Sequence, residues 1–336
     1  MNSRELLRTR LYVQKLDSPG FTTPADMVRY FGAVQAQDYL GSLWAVGQRT
    51  IGATEAAVER AVAERTIIRS WPMRGTLHFT AAEDLRWILD LVDSRVALKI
   101  APYQKAVGLT KKDFTRSRAI VEKELAGAGA VDRQEFYGIL NRHSIDTSNT
   151  RGLHITGQLA REKVICFGPR KGKQPTFVLL DEWIPEKKIL SRDESLAELA
   201  LRYFTSHGPA TTHDFSWWSG LTVTDAGRAL DMVKSRLKNN GDYWMSLDAE
   251  PTMLRNVQRL LPAYDEFLVA YSKTRTSETN AIFRPNIIVN GEVTGTWQRN
   301  VTRKGVTFKT GKQSSPGIRK EMKRYAKFID TKLLNV

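Results

Sequence analysis

The sequence predicts a mainly α fold with small β hairpins (α+β), laid out as a winged-helix pattern that recurs three times. Three observations predict it. Apolar residues fall at helical spacing over most of the chain. Each group of helical segments is followed by short strand-like runs. Turn signals separate those runs, at Pro72-Met73-Arg74-Gly75, Gly168 to Lys173 and Asn290-Gly291. Helices followed by a short hairpin describe a winged helix. The 336 residues suffice for two or three domains, and the recurrences divide the chain at 1–80, 81–190 and 191–336.

The first round opens with a helix from Ser3 to Leu16, with Ser3 as its N-cap, and a turn at Asp17 to Gly20. A second helix runs from Pro24 to about Gln37, with Met27, Tyr30, Phe31 and Val34 on one face. Helices over Leu40–Arg49 and Thr54–Glu64 follow, then strands over Ile67–Trp71 and Thr76–Thr80. The second round has helices over Ala82–Ile100, Phe114–Leu125, Arg133–His143 and Thr150–Glu162. Its hairpin, Val164–Phe167 with Thr176–Leu180, carries Arg170, Lys171 and Lys173 at the tip. That tip suits a phosphate contact or a solvated turn equally. The third round has helices over Ser195–Ser206, Thr212–Ser219 and Thr224–Lys238, then a strand over Tyr243–Leu247. A β-rich tail follows, with Asn286–Asn290 and Glu292–Gln298 about the Asn-Gly turn and a third strand over Val306–Thr310. A helix over Ser315–Phe328 closes the chain.

Lys plus Arg outnumber Asp plus Glu by 51 to 36, a net charge of +15. Such an excess favours polyanionic partners, chiefly nucleic acid. It is concentrated from Arg299 onward, in Arg299, Arg303, Lys304, Lys309, Lys312 and the last helix. A basic hairpin of this kind enters a groove or tracks a backbone; the bland alternative is a solvated face. The single cysteine, Cys166, excludes a disulfide framework and a cysteine zinc site within one chain. The five histidines have no metal-ligand spacing, so no metal or other cofactor is expected. The N-terminus lacks an apolar signal core, and no stretch reaches the ~20 apolar residues of a membrane span. A cytoplasmic protein without a membrane partner is expected.

Gln35 and Gln37, separated by Ala36, carry the chemical interest. Residues two apart on a helix point roughly 200° away from each other. Both amides reach one small ligand only if the helix ends or distorts here, or if a cleft straddles it. Gln does not titrate, so neither side chain is an ordinary general base. Two amides can hold a water, and their carbonyl oxygens can stabilise a cation-like transition state. The bland alternative is a helix end with two solvated amides. Asp38 is the nearest carboxylate, available for base or electrostatic roles. Asp265 and Glu266 are adjacent, face different directions, and read as structural groups bonding backbone or arginine. Trp217 and Trp218 read as core.

Four stretches together carry a resemblance: Phe31 to Trp44, Arg69 to His78, Leu261 to Tyr271 and Val289 to Arg299. In this order they resemble the AlkZ-like family of bacterial DNA glycosylases, over nearly the whole chain. The most diagnostic element is the family's glutamine–apolar–glutamine motif, matched by Gln35-Ala36-Gln37. A second branch has aspartate at the last position, and this sequence does not. The middle residue is a small alanine rather than a bulky apolar one. The resemblance implies three tandem winged-helix units around a basic channel. It also implies monofunctional N-glycosidic cleavage of alkylated or crosslinked purines in double-stranded DNA, without a metal.

That chemistry is compatible with the residues. Alkylation already makes the base a cationic leaving group, and the sugar becomes oxocarbenium-like. What remains is to place a water and stabilise the sugar cation. Gln35 and Gln37 are expected to flank the labile nucleotide. His78 approaches the same cleft on this reading, and Arg74 meets a phosphate; a packed or surface role is the alternative for His78. No intercalating wedge is evident. The competing reading is a non-catalytic winged-helix DNA-binding protein or transcription regulator. Regulators of this class are usually shorter and dimeric, with one reading helix per subunit, so three fused units and the Gln-x-Gln segment favour the enzyme, which is expected to be a monomer.

Overall fold

The structure, a computed structural model, describes residues 1–253, 256–272, 281–311 and 315–334. Lys312 of the expected basic surface lies outside the described residues. The chain divides into two compact units. Unit 1 joins residues 1–60 to 196–336, and unit 2 is 61–195. The fold is mixed α and β, as expected.

In chain order, unit 1 opens with α1 (Ser3–Val13), α2 (Pro24–Phe31), β1 (Val34–Gln35) and α3 (Tyr39–Gly47). The chain passes to unit 2 within α4 (Glu55–Ala63). Unit 2 then holds β2 (Ile67–Met73), β3 (Thr76–Ala81), α5 (Leu85–Ala106), α6 (Lys111–Glu124), β4 (Val131–Asp132), α7 (Arg133–Arg142), α8 (Arg151–Arg161), β5 (Ile165–Lys171), β6 (Gln174–Leu179) and α9 (Leu180–Trp183). The return is within α10 (Arg192–His207), followed by α11 (Thr212–Ser219), α12 (Val223–Val233), β7 (Leu237–Asn240), β8 (Tyr243–Ser246), β9 (Gln258–Leu261), α13 (Glu266–Val269), β10 (Asn286–Val289), β11 (Glu292–Thr302), β12 (Gly305–Thr310) and α14 (Pro316–Phe328).

Local chemistry sets most boundaries. Asn2, not Ser3, caps α1 and accepts from the Glu5 N–H. Thr23 caps α2 ahead of Pro24. α6 and α11 begin with reciprocal capping boxes, Thr110 with Asp113 and Thr211 with Asp214. Asn290 and Gly291 both take positive φ between β10 and β11, as a type I′ turn requires.

Two expected helices fall five or more residues short of their patterns. α2 stops at Phe31 and does not reach Gln37, because Gly32 adopts φ +78° and turns the backbone out of the helix. α12 stops at Val233, and Lys238 lies in the β7–β8 hairpin. There Gly241, at φ +61°, makes the turn.

Unit 2 contains an antiparallel run of strands in the order β3-β2-β5-β6-β4. Its core includes Phe136, Ile155, Leu159, Phe167 and Phe177, with Trp71 packed against it. Unit 1 contains a four-stranded sheet ordered β12-β11-β10-β9. Trp44 of α3 meets Tyr325 and Phe328 of α14, with ring centroids 5.0 and 5.1 Å away. A second aromatic cluster in unit 1 joins Phe31, Tyr203, His207, Phe215 and Trp218.

Candidate active site

The early end of α2 decides the geometry of the glutamines. After Gly32 the chain runs extended through Val34 and Gln35 before α3 begins at Tyr39. The two amides are therefore released from the opposed directions that a continuous helix would impose. Gln35 is only 9% exposed, whereas Gln37 and Asp38 are exposed. Asp38 stands at the N-cap position of α3 but its side chain makes no capping bond. Gly41, one turn on, leaves room for it, since a Cβ there would lie 2.6 Å from Asp38 Oδ2.

Beneath the segment lies a buried polar network. The Gln35 backbone N–H donates to Glu266 Oε1 at 2.6 Å. The Trp218 Nε1–H donates to Glu266 Oε2 at 2.9 Å. His207 Nε2 stands 3.4 Å from that same oxygen, and His207 Nδ1 is 2.7 Å from Ser206 Oγ. Glu266 and His207 are both fully buried. Burial pushes the His207 imidazole below its ordinary value, against the opposing pull of Glu266. Ser206 Oγ also lies 2.7 Å from the Arg202 carbonyl, which can only accept, so the hydroxyl gives its one proton there and His207 Nδ1 donates to Oγ.

The neighbouring Asp265 serves the frame. It caps α13 by accepting from the Phe267 N–H. It also takes a two-pronged ion pair from Arg49, at 2.7 and 2.9 Å, with both side chains fully buried. The adjacent acids Asp265 and Glu266 thus bond arginine and backbone. Of the tryptophan pair, Trp218 is buried, while Trp217 is 42% exposed with its Nε1–H donated to the Val269 carbonyl.

Arg299, on β11, reaches this region. Its guanidinium lies 5.0 Å from the centre of the Tyr325 ring. Burial lowers its pKa, while Asp38 and Glu55 act to raise it. Arg299 of the basic strand and Asp38 of the glutamine segment therefore attract each other. Arg303 and Lys304 are exposed at the turn between β11 and β12, and Lys309 is exposed on β12.

Arg74 and His78 belong to unit 2. His78 is fully buried on β3. Its Nδ1 is 2.9 Å from the Thr76 carbonyl, which can only accept, so Nδ1 carries the proton. Its Nε2 then accepts from Arg74 Nη2 at 3.1 Å. Both ring nitrogens serve the β2–β3 hairpin. Arg170 is half-buried, and Lys171 and Lys173 are exposed, about the β5–β6 turn of the same unit. Among the described residues no group of acids, histidines and cysteine is arranged to hold a metal, and no helix is long and apolar enough to cross a membrane.

The residue that sequence reasoning valued least here is Glu266. Its link to Gln35 spans 231 positions, and no local pattern signals it.

The sequence profile of the family described as DNA glycosylase AlkZ-like matches residues 28–328. The chain belongs to that family of DNA glycosylases. A relative from Streptomyces sahachiroi, named "Interstrand DNA cross-link repair glycosylase", is 22% identical over 333 residues. The match covers 88% of this chain and 87% of the relative. The solved structure of "Streptomyces sahachiroi DNA glycosylase AlkZ" superposes with a TM-score of 0.78 at 19% identity. That match covers 99% of this chain and 100% of the other; at such identity it speaks for the fold.

Proposed function

We propose that this DNA glycosylase is monofunctional and hydrolyses the N-glycosidic bond of N7- and N3-alkylated purines, interstrand crosslinks among them, leaving an abasic site. Gln35 and Gln37 flank the labile nucleotide. Their amide oxygens hold the attacking water and stabilise the sugar cation, with Asp38 adding negative charge beside them. Alkylated purines leave as good leaving groups, so this chemistry needs no metal, cofactor or catalytic lysine. The protein acts as a cytoplasmic monomer on double-stranded DNA. Three winged-helix units surround a basic channel, and Arg74, Arg170, Lys171, Lys173, Arg299, Arg303, Lys304 and Lys309 contact phosphates.

The observation that carries this reading is the asymmetry of the motif. Gln35 is held from beneath through its backbone by a buried carboxylate, while Gln37 and Asp38 open to solvent. A solvated helix end would need no such anchor. The relative's printed name favours crosslinked substrates within the class.

The test uses duplexes carrying either 7-methylguanine or a guanine–guanine crosslink through N7, with borohydride present or absent. The expected product is an alkali-labile abasic site with no protein–DNA adduct. A borohydride-trapped adduct would overturn the monofunctional mechanism. Failure to release base from either duplex would overturn the substrate class.

A further inference from the structure

We propose that Glu266 is a positioning residue for base release, setting the place of Gln35 by accepting its backbone N–H. The inference rests on the assignment of Gln35 to the reaction, and the network beneath Gln35 carries it. The Gln35 N–H at 2.6 Å and the Trp218 Nε1–H at 2.9 Å converge on a fully buried carboxylate, with His207 Nε2 3.4 Å from it. Charged acceptors make the shorter, stronger hydrogen bonds, and the bond to Gln35 is the shorter of these two. Gln35 lies in a two-residue strand after a glycine break, with no helix of its own to fix it. Its backbone position is therefore set by tertiary bonds, among which this one is charged and buried.

The carboxylate itself is held on the far side. Tyr203 stacks on the His207 ring, with centroids 4.9 Å apart and planes 14° apart. The Tyr271 hydroxyl donates to the His207 carbonyl at 2.7 Å. Asp265, one residue earlier, is clamped by Arg49. Glu266 cannot follow a displaced Gln35 without breaking these bonds. A shift of about 1 Å in a reacting group costs on the order of 10²-fold in rate, so the anchor has leverage on turnover.

The donor arithmetic supplies a specific test. A carboxylate accepts at both oxygens; an amide accepts at one and donates at the other. In Glu266→Gln the new NH2 must face either the Gln35 N–H or the Trp218 Nε1–H, and one bond is lost. Removing the indole donor as well, in Glu266→Gln with Trp218→Phe, frees the amide oxygen for Gln35. The NH2 then faces His207 Nε2, which accepts because the neutral ring carries its proton on Nδ1 and donates it to Ser206 Oγ.

The measurement is the single-turnover rate of 7-methylguanine release at saturating enzyme, with DNA affinity and thermal midpoint recorded for each protein. Glu266→Gln is expected to lower the rate ten-fold or more with DNA affinity within two-fold of the parent. The Trp218→Phe background is expected to recover at least a third of the lost rate on a logarithmic scale. Phe136→Leu, in the core of unit 2, is the structural control, expected to lower the midpoint while the rate per folded molecule holds. A Glu266→Gln rate within two-fold of the parent would overturn the proposal. So would a rate that tracks the midpoint across all variants, or no recovery in the double variant. Gln35→Ala is run beside them. If it keeps the parental rate, the assignment of Gln35 fails on its own reading, apart from the behaviour of Glu266.

Discussion

Arg49 grips Asp265 with two guanidinium nitrogens, at 2.7 and 2.9 Å, and neither side chain has any exposed surface. Arg49 also donates to the Gln14 and Ala45 carbonyls. One residue thus ties α1, α3 and the segment that carries Glu266. The two partners lie 216 positions apart, so the pair closes unit 1 around the glutamine segment.

Breaking that pair leaves a buried charge uncompensated. Arg49→Met or Asp265→Asn is expected to cost about 3–5 kcal/mol. Urea unfolding followed by circular dichroism checks it. A loss below about 1 kcal/mol, the range of an exposed pair, would contradict the buried geometry.

Gly47 ends α3 against the ring of Phe328. A Cβ at Gly47 would lie 2.2 Å from Phe328 Cε2 and 2.7 Å from Cδ2. Gly47→Ala gains up to about 1 kcal/mol of helix propensity, but overpacking costs about 1–3 kcal/mol. The clash is with a ring buried among Trp44 and Tyr325, so the cost wins. The variant should show a lower urea midpoint, with part of the loss recovered when Phe328→Leu is added.

His207 gives stability a defined dependence on pH. Burial lowers its folded pKa from the ordinary 6.5. Below pH 6.5 the unfolded chain binds a proton that the folded chain resists, so stability falls as pH falls from there towards the folded value. Above that window the contribution is complete. His207→Gln should flatten the slope of unfolding free energy over this range; His154, whose pKa burial also lowers, leaves a residual slope of the same sign. An unchanged slope would contradict a buried neutral imidazole.

The β11–β12 turn should report phosphate contacts through salt. Arg303 and Lys304 are exposed beside the closing pair Thr302 and Gly305. Neutralising each should lower the slope of log affinity against log salt by about 1. Fluorescence anisotropy with an unmodified duplex measures it. An unaltered slope would make this turn a solvated hairpin.

Local chemistry was readable where one residue decides it. Pro24 and Asn290-Gly291 marked their boundaries because a first helical turn or a tight turn needs few neighbours. The end of α2 was not readable, since Ala33 to Gln37 suits a helix and only Gly32 objects. The β7–β8 hairpin hid behind the helical pattern of Thr224 to Lys238. The motif itself was visible in the sequence, but its support was not. Glu266 and Gln35 meet through a backbone N–H, which leaves no side-chain signature in either stretch.

The most direct test of the account is release of 7-methylguanine from a duplex by the parent, Gln35→Ala, Gln37→Ala and the double variant, under single-turnover conditions with DNA binding measured in parallel. A site built on these two amides predicts release by the parent and a fall of about 10²-fold or more in the double variant, with DNA affinity retained. Parental release by the double variant would contradict a site built on Gln35 and Gln37.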